Sequence, residues 1–219
     1  MEQLTEECKK ILGKNLLSII EFGSEGKQTS VIIICKDLPF AIIERLKKTM
    51  REFMQRTGIV PLLSTKKELL RSTDVFPLEL IDIKYPHRVL YGQDVLEKLS
   101  FKRAEVRREI EFELRSKLIH LRTQYLTAKN TKEINALMQA AVPTLMPLFY
   151  GLLFLKQTTV PVTLRELYGR VEELYHVDLR IFHAIRKREI VERDTKKNIS
   201  DLIEVLETLI NIIDTLKVR

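Results

Sequence analysis

One short segment of the chain has residue types in an order that could do chemistry. In Ser18-Ile-Ile-Glu-Phe-Gly-Ser-Glu-Gly26 an apolar, β-branched run ends in Gly23-Ser24 and leads through a short loop into Val31-Ile-Ile-Ile-Cys35. Glycine lets a backbone come close to a ligand, and amides leaving a strand through such a turn can converge on an anion. Gly23 and Ser24 are therefore candidates for a phosphate or nucleotide nest; an ordinary strand-ending turn and a remnant without ligand fit the same residues. Glu79 and Asp82, in Leu78-Glu-Leu-Ile-Asp-Ile83, are either carboxylates for a site or solvent-facing strand residues, and Asp74 reads as a loop residue. His87 lacks an acid or nucleophile at a recognisable spacing, so no acid–base role is assigned to it. The four histidines (His87, His120, His176, His183) and two cysteines (Cys8, Cys35) form neither CxxC nor HxxxH, and no metal site is expected from them.

Composition bounds what such a segment can belong to. The 219 residues are 45% hydrophobic, enough for a packed core, and the cysteine count excludes a disulfide-stapled scaffold and points to a reducing cytoplasm. Lys and Arg exceed Asp and Glu by 37 to 30. The excess is not polarised: residues 1–93 hold 15 basic and 12 acidic side chains, the remainder 22 and 18, so a mixed, solvated surface is expected. Arg108, Arg115 and Arg122 recur every seven residues on one helix face and read as salt-bridged surface in preference to a phosphate-binding stripe. The acidic start of the chain lacks the features of a signal peptide. Ile134 to Leu155 is free of charge and long enough to span a bilayer, but its Asn135, Gln139, Pro143 and Pro147 favour a buried bundle helix, and no membrane partner is expected.

The elements that must position the segment change character along the chain. Glu2 to Leu12 reads as a helix, Leu16 to Phe22 and Val31 to Cys35 as strands, and Pro39 opens a helix that Gly58 stops. Val60 to Leu63 reads as a third strand, Thr65 as the cap of a helix over Lys66 to Ser72, Leu78 to Ile83 as a fourth strand, and Val89 to Tyr91 as a short strand. From Asp94 onward only helical periods remain. Val106, Ile110, Leu114, Leu118, Leu121 and Tyr125 make one stripe, and further helices are expected over 132–155, from Thr163, over Leu179 to Val191, and through Leu202 to Leu216. The fold class is α+β: a mixed-sheet domain over residues 1–99 and an antiparallel helical bundle over 100–219.

The strand, Gly-Ser, loop and second strand resemble the nucleotidyltransferase superfamily, the fold of DNA polymerase β and aminoglycoside nucleotidyltransferases. The resemblance is closer to a group of bacterial nucleotidyltransferase-domain proteins of unassigned activity. It is carried by Lys67-Glu-Leu-Leu-Arg-Ser72, Asp74-Val-Phe-Pro-Leu-Glu-Leu-Ile-Asp82 and His87-Arg-Val-Leu-Tyr-Gly92, and continues into Glu113-Leu-Arg-Ser-Lys-Leu118 and Leu121-Arg122. It implies nucleotide phosphates at Gly23 and Ser24, and Mg²⁺ held by a pair of carboxylates on the second strand. Those two positions fall at about Gln28 and Ser30, neither of which carries charge, while Glu79 falls at the superfamily's third carboxylate. Neutral side chains do not replace hard anionic ligands of Mg²⁺.

Three functions follow as expectations. The first is a degenerate nucleotidyltransferase that binds nucleotide or regulates, with no cofactor. The second is an active enzyme that recruits Glu25, Glu79 or Asp82 and uses Mg²⁺ to transfer a nucleoside monophosphate. The third is a basic adaptor for RNA or protein. The basic stretches lack interleaved aromatics, which argues against a nucleic-acid binder that works by stacking.

Overall fold

Leu16–Phe22 (β1) and Ser30–Cys35 (β2) pair antiparallel, as two apolar runs joined by a short loop should, with Phe22 opposite Ser30 and Ile19 opposite Ile33. Leu62–Thr65 (β3) adds parallel to β2, and His87–Gly92 (β4) adds antiparallel to the other side of β1, giving the order β3-β2-β1-β4. Residues 1–23, 29–158, 163–189 and 192–218 are described by this computed structural model. They form two compact units, Met1–Phe101 with Pro161–Leu164, and Lys102–Val160 with Arg165–Arg219.

Both faces of the sheet are covered, so β1 and β2 read as continuous apolar runs and not as alternating ones. On one face Ile19, Val31, Ile33 and Cys35 pack with Leu4, Cys8 and Leu12 of α1 (Glu2–Leu12) and with Leu46 and Phe53 of α2 (Phe40–Thr57). The opposite face, with Ile20, Phe22, Ile32 and Ile34, packs on Leu69 of α3 (Lys66–Arg71) and on Leu80 and Ile83 of α4 (Pro77–Lys84). Helix α2 stops at Gly58, which takes a left-handed φ of 71°. A capping box opens α3: the Glu68 amide donates to Thr65 Oγ1 at 3.1 Å and the Thr65 amide donates to Glu68 Oε2 at 2.7 Å.

Several expected elements differ. Leu78 to Ile83 is not a strand but the body of α4. Pro77 starts that helix with a preset φ, and burial of Leu78, Leu80, Ile81, Asp82 and Ile83 together removes the one-sided period that separates a short helix from a strand. The third strand runs from Leu62, later than expected, since Pro61 has no N–H to give a ladder. The apolar stretch over 132–155 is two helices, α6 (Thr131–Thr144) and α7 (Met146–Leu155), separated at Leu145 between Pro143 and Pro147. It is the one helical stretch among the described residues apolar and long enough to cross a membrane, and 56% of its most apolar window is buried.

The second unit is built on α5 (Arg103–Thr127), whose Val106, Ile110, Leu114, Leu118 and Leu121 are buried. It packs on α7 and on α10 (Thr195–Thr215). Arg107 Nε donates to the Ile213 carbonyl at 2.9 Å while Arg122 further along α5 meets Glu207 further back on α10, so these two helices run antiparallel. The arginine ladder is ion-paired throughout: Arg108 with Glu105, Arg115 with Asp214 and Glu111, Arg122 with Glu207. Helices α8 (Leu164–Tyr175) and α9 (Arg180–Arg186) supply Tyr168 and Phe182 to an aromatic cluster around Phe149. The expected extension of α9 to Val191 ends at Arg186, and Val191 itself lies outside the described residues.

Cys8 and Cys35 are free and fully buried, and burial pushes their thiols up to about 12 and about 11. At neutral pH both stay as thiols, which are poor nucleophiles. A disulfide-exchange reagent should therefore modify neither in the folded protein and both in denaturant; fast modification without denaturant would show that this core opens.

Candidate functional site

Gly23 follows the end of β1, where three strands present one row. Phe22 is opposite Ser30 on β2 and opposite His87 on β4. Gly23 has a φ of 124°, a conformation that favours glycine, and its N–H donates to the Pro86 carbonyl at 3.3 Å. That amide is thus shared with β4, and a nest for phosphate would draw on amides further along. Ser24, Glu25 and Gln28 lie outside the described residues.

Ser30 opens β2 and is half-buried on the face occupied by Phe22, Ile32 and Ile34. Among the strand residues, all of them described, Glu21 is the only carboxylate. It lies opposite Val31, so strand alternation sends it to the face that carries α1, away from Ser30. It is also engaged: Arg88 donates to Glu21 Oε2 from Nε at 3.0 Å and from Nη2 at 2.6 Å. Glu79 is not on a strand. It sits exposed in the first turn of α4, as a consequence of the helix that replaces the expected strand, while Asp82 on the same helix is buried and Asp74 is exposed in the turn before it.

A Mg²⁺ pair needs anionic oxygens that converge. On this face the strands offer the Ser30 hydroxyl and no carboxylate, and Asp94, which does reach this end, is bound to His87; the strand donors do not fit such a pair. Among the described residues no group of three His, Cys, Asp or Glu side chains is placed to hold a metal ion.

The acid that the sequence did not reveal for His87 is Asp94. His87 places Nε2 3.0 Å from Asp94 Oδ2 and Nδ1 2.6 Å from the Lys84 carbonyl oxygen. Burial pushes the Asp94 carboxyl up, but hydrogen bonds from His87 and from the Glu97 amide outweigh it and hold the group below the usual carboxylate range. Lys84 donates to the Glu97 and Leu99 carbonyls at 3.1 and 2.7 Å, and burial lowers its pKa. Both nitrogens of His87 are occupied within the fold, so it anchors the start of β4 beside Gly23 and is no free base. The signal for Asp94 was Asp94-Val-Leu-Glu97, a capping pattern that closes the turn Leu96–Lys98.

No family model matches the chain. A protein of Methanocaldococcus jannaschii named "Putative protein adenylyltransferase" is 32% identical over 107 residues, a match that spans 43% of this chain and 71% of that protein. A mixed sheet with Gly23 at the end of its inner strand β1, together with this match over most of the relative, defines the class. The chain belongs to a nucleotidyltransferase-type family.

Proposed function

We propose that this protein is a degenerate nucleotidyltransferase that binds a nucleotide at the turn Gly23-Ser24 and works as a regulatory or binding protein without metal-dependent transfer. The observation that carries the reading is the set of strand residues: Ser30 opens β2 where the resemblance puts one of the paired acids, and Glu21, the one strand carboxylate, faces the other side of the sheet and is bound to Arg88. Electrostatic stabilisation is usually the largest catalytic contribution, and loss of one preorganised donor lowers rates by about 10²- to 10³-fold, so loss of both metal-bridging acids should leave no measurable transfer.

The relative's name favours a second reading, an active enzyme that transfers AMP to a protein side chain with Glu25, Glu79 or Asp82 in place of the missing pair. One experiment separates the two. The purified protein is incubated with labelled ATP, CTP, GTP or UTP and Mg²⁺ or Mn²⁺, and released pyrophosphate and self-labelling are followed, with nucleotide binding measured by calorimetry on the wild type and Ser24→Ala. The expected result is nucleotide binding weakened by Ser24→Ala with no pyrophosphate above background. Turnover that disappears in Glu25→Gln or Glu79→Gln would establish the active reading, and equal binding by wild type and Ser24→Ala would remove Ser24 from the site.

A further inference from the structure

At the end of the sheet opposite Gly23, the C-terminal ends of the parallel strands β2 and β3 open on a groove of about 450 Å³ lined by Leu17, Lys36, Lys66, Lys67, Leu70 and Arg71. Lys36 follows β2 directly, Lys66 and Lys67 begin α3, and Arg71 ends it. No carboxylate lines the groove, and among the described residues none of the four cationic side chains has an ion-pair partner. Further along α5, by contrast, Arg107, Arg108, Arg115, Lys117 and Arg122 are paired with acids. The nearby Glu68 carboxylate does not line the groove; it is turned back into the cap of α3, where the Thr65 amide and the Ser64 hydroxyl hold its pKa below the usual range.

We infer that this groove binds the phosphodiester backbone of a nucleic-acid strand, at a site separate from the Gly23 turn. Four cationic residues around one open, apolar-floored groove raise the local potential and attract a chain of anions. The floor of Leu17 and the exposed Leu70 suits sugar and base edges more than a second layer of charge. No aromatic lines the groove, so binding is driven by the backbone and is tolerant of sequence.

The test is fluorescence anisotropy of a short labelled poly-U RNA across a salt series. Four contacts to a single strand give a slope of about −0.7 per contact, so affinity should fall roughly 50-fold between about 50 and about 200 mM salt. The variant Lys36→Gln/Lys66→Gln/Lys67→Gln/Arg71→Gln should lose this dependence. The milder Lys67→Gln/Arg71→Gln, at two exposed positions whose change should leave the circular dichroism spectrum intact, should lose about half of the slope. A control with Lys47→Gln/Lys48→Gln/Arg51→Gln/Lys98→Gln removes the same charge elsewhere on the surface and should keep most of the slope. Binding of ATP should be equal in all of these proteins, which keeps the result independent of the Gly23 site. The inference is overturned if the wild type fails to bind RNA, if the groove variants keep its slope, or if the control loses as much. Preference for inorganic polyphosphate or poly-glutamate over RNA would overturn it too.

Discussion

Gly92→Ala is expected to destabilise the α/β unit by about 2–4 kcal/mol, a large share of the stability of a small domain. Gly92 ends β4 with φ at +80°, a conformation strained for any other residue. A Cβ built there would lie 2.0 Å from the Leu17 carbonyl oxygen and 2.9 Å from its carbon. Those atoms belong to the backbone of β1, whose Leu17 carbonyl also accepts from the Gln93 amide at 3.3 Å, so relief of the clash means pulling β4 away from β1. Urea unfolding followed by circular dichroism is the measurement. A midpoint unchanged from the wild type would show that the two strands separate at this end without penalty.

In the helical unit the largest effect is expected from Phe149→Ala, about 3–5 kcal/mol from lost burial and the cavity left behind. Phe149 is 1% exposed and stands edge-on to Tyr168 at 5.5 Å and to Phe182 at 5.2 Å between ring centroids, so α7, α8 and α9 meet through its ring. Phe149→Leu should lose distinctly less, because it retains most of the volume and forfeits the edge-to-face geometry. Calorimetric unfolding of both variants gives the comparison; equal losses would assign the stabilisation to ring geometry and not to filled space.

Elements that one local device decides are legible in the chain. Gly58 stops α2, Thr65 with Glu68 opens α3, and the unbroken apolar runs of β1 and β2 admit few alternatives. Leu78 to Ile83 misleads because a short helix buried on all sides loses the period that would mark it. The apolar stretch around Pro143 and Pro147 hides its break at Leu145, since helices tolerate proline near their ends. Of the candidate site, Gly23 and Ser30 could be placed by their order along two strands. His87 with Asp94, and Lys36 with Lys66, could not, because strand pairing and a turn bring each pair together and neither member announces the other in the sequence.

Strand β1 is central, yet its partner β4 lies 65 residues further along the chain, from Phe22 to His87. During vectorial synthesis β2 can cover one edge of β1 as soon as the hairpin is made, whereas the other edge waits for Gly92. At about 5–20 residues per second that interval is roughly 3–11 s. Over this time the nascent chain presents an open, apolar strand edge on which foreign strands can template. The nascent chain thus passes through a window in which this edge stands open to mispairing, and the window closes with the same residue whose side chain must be absent for the strands to meet.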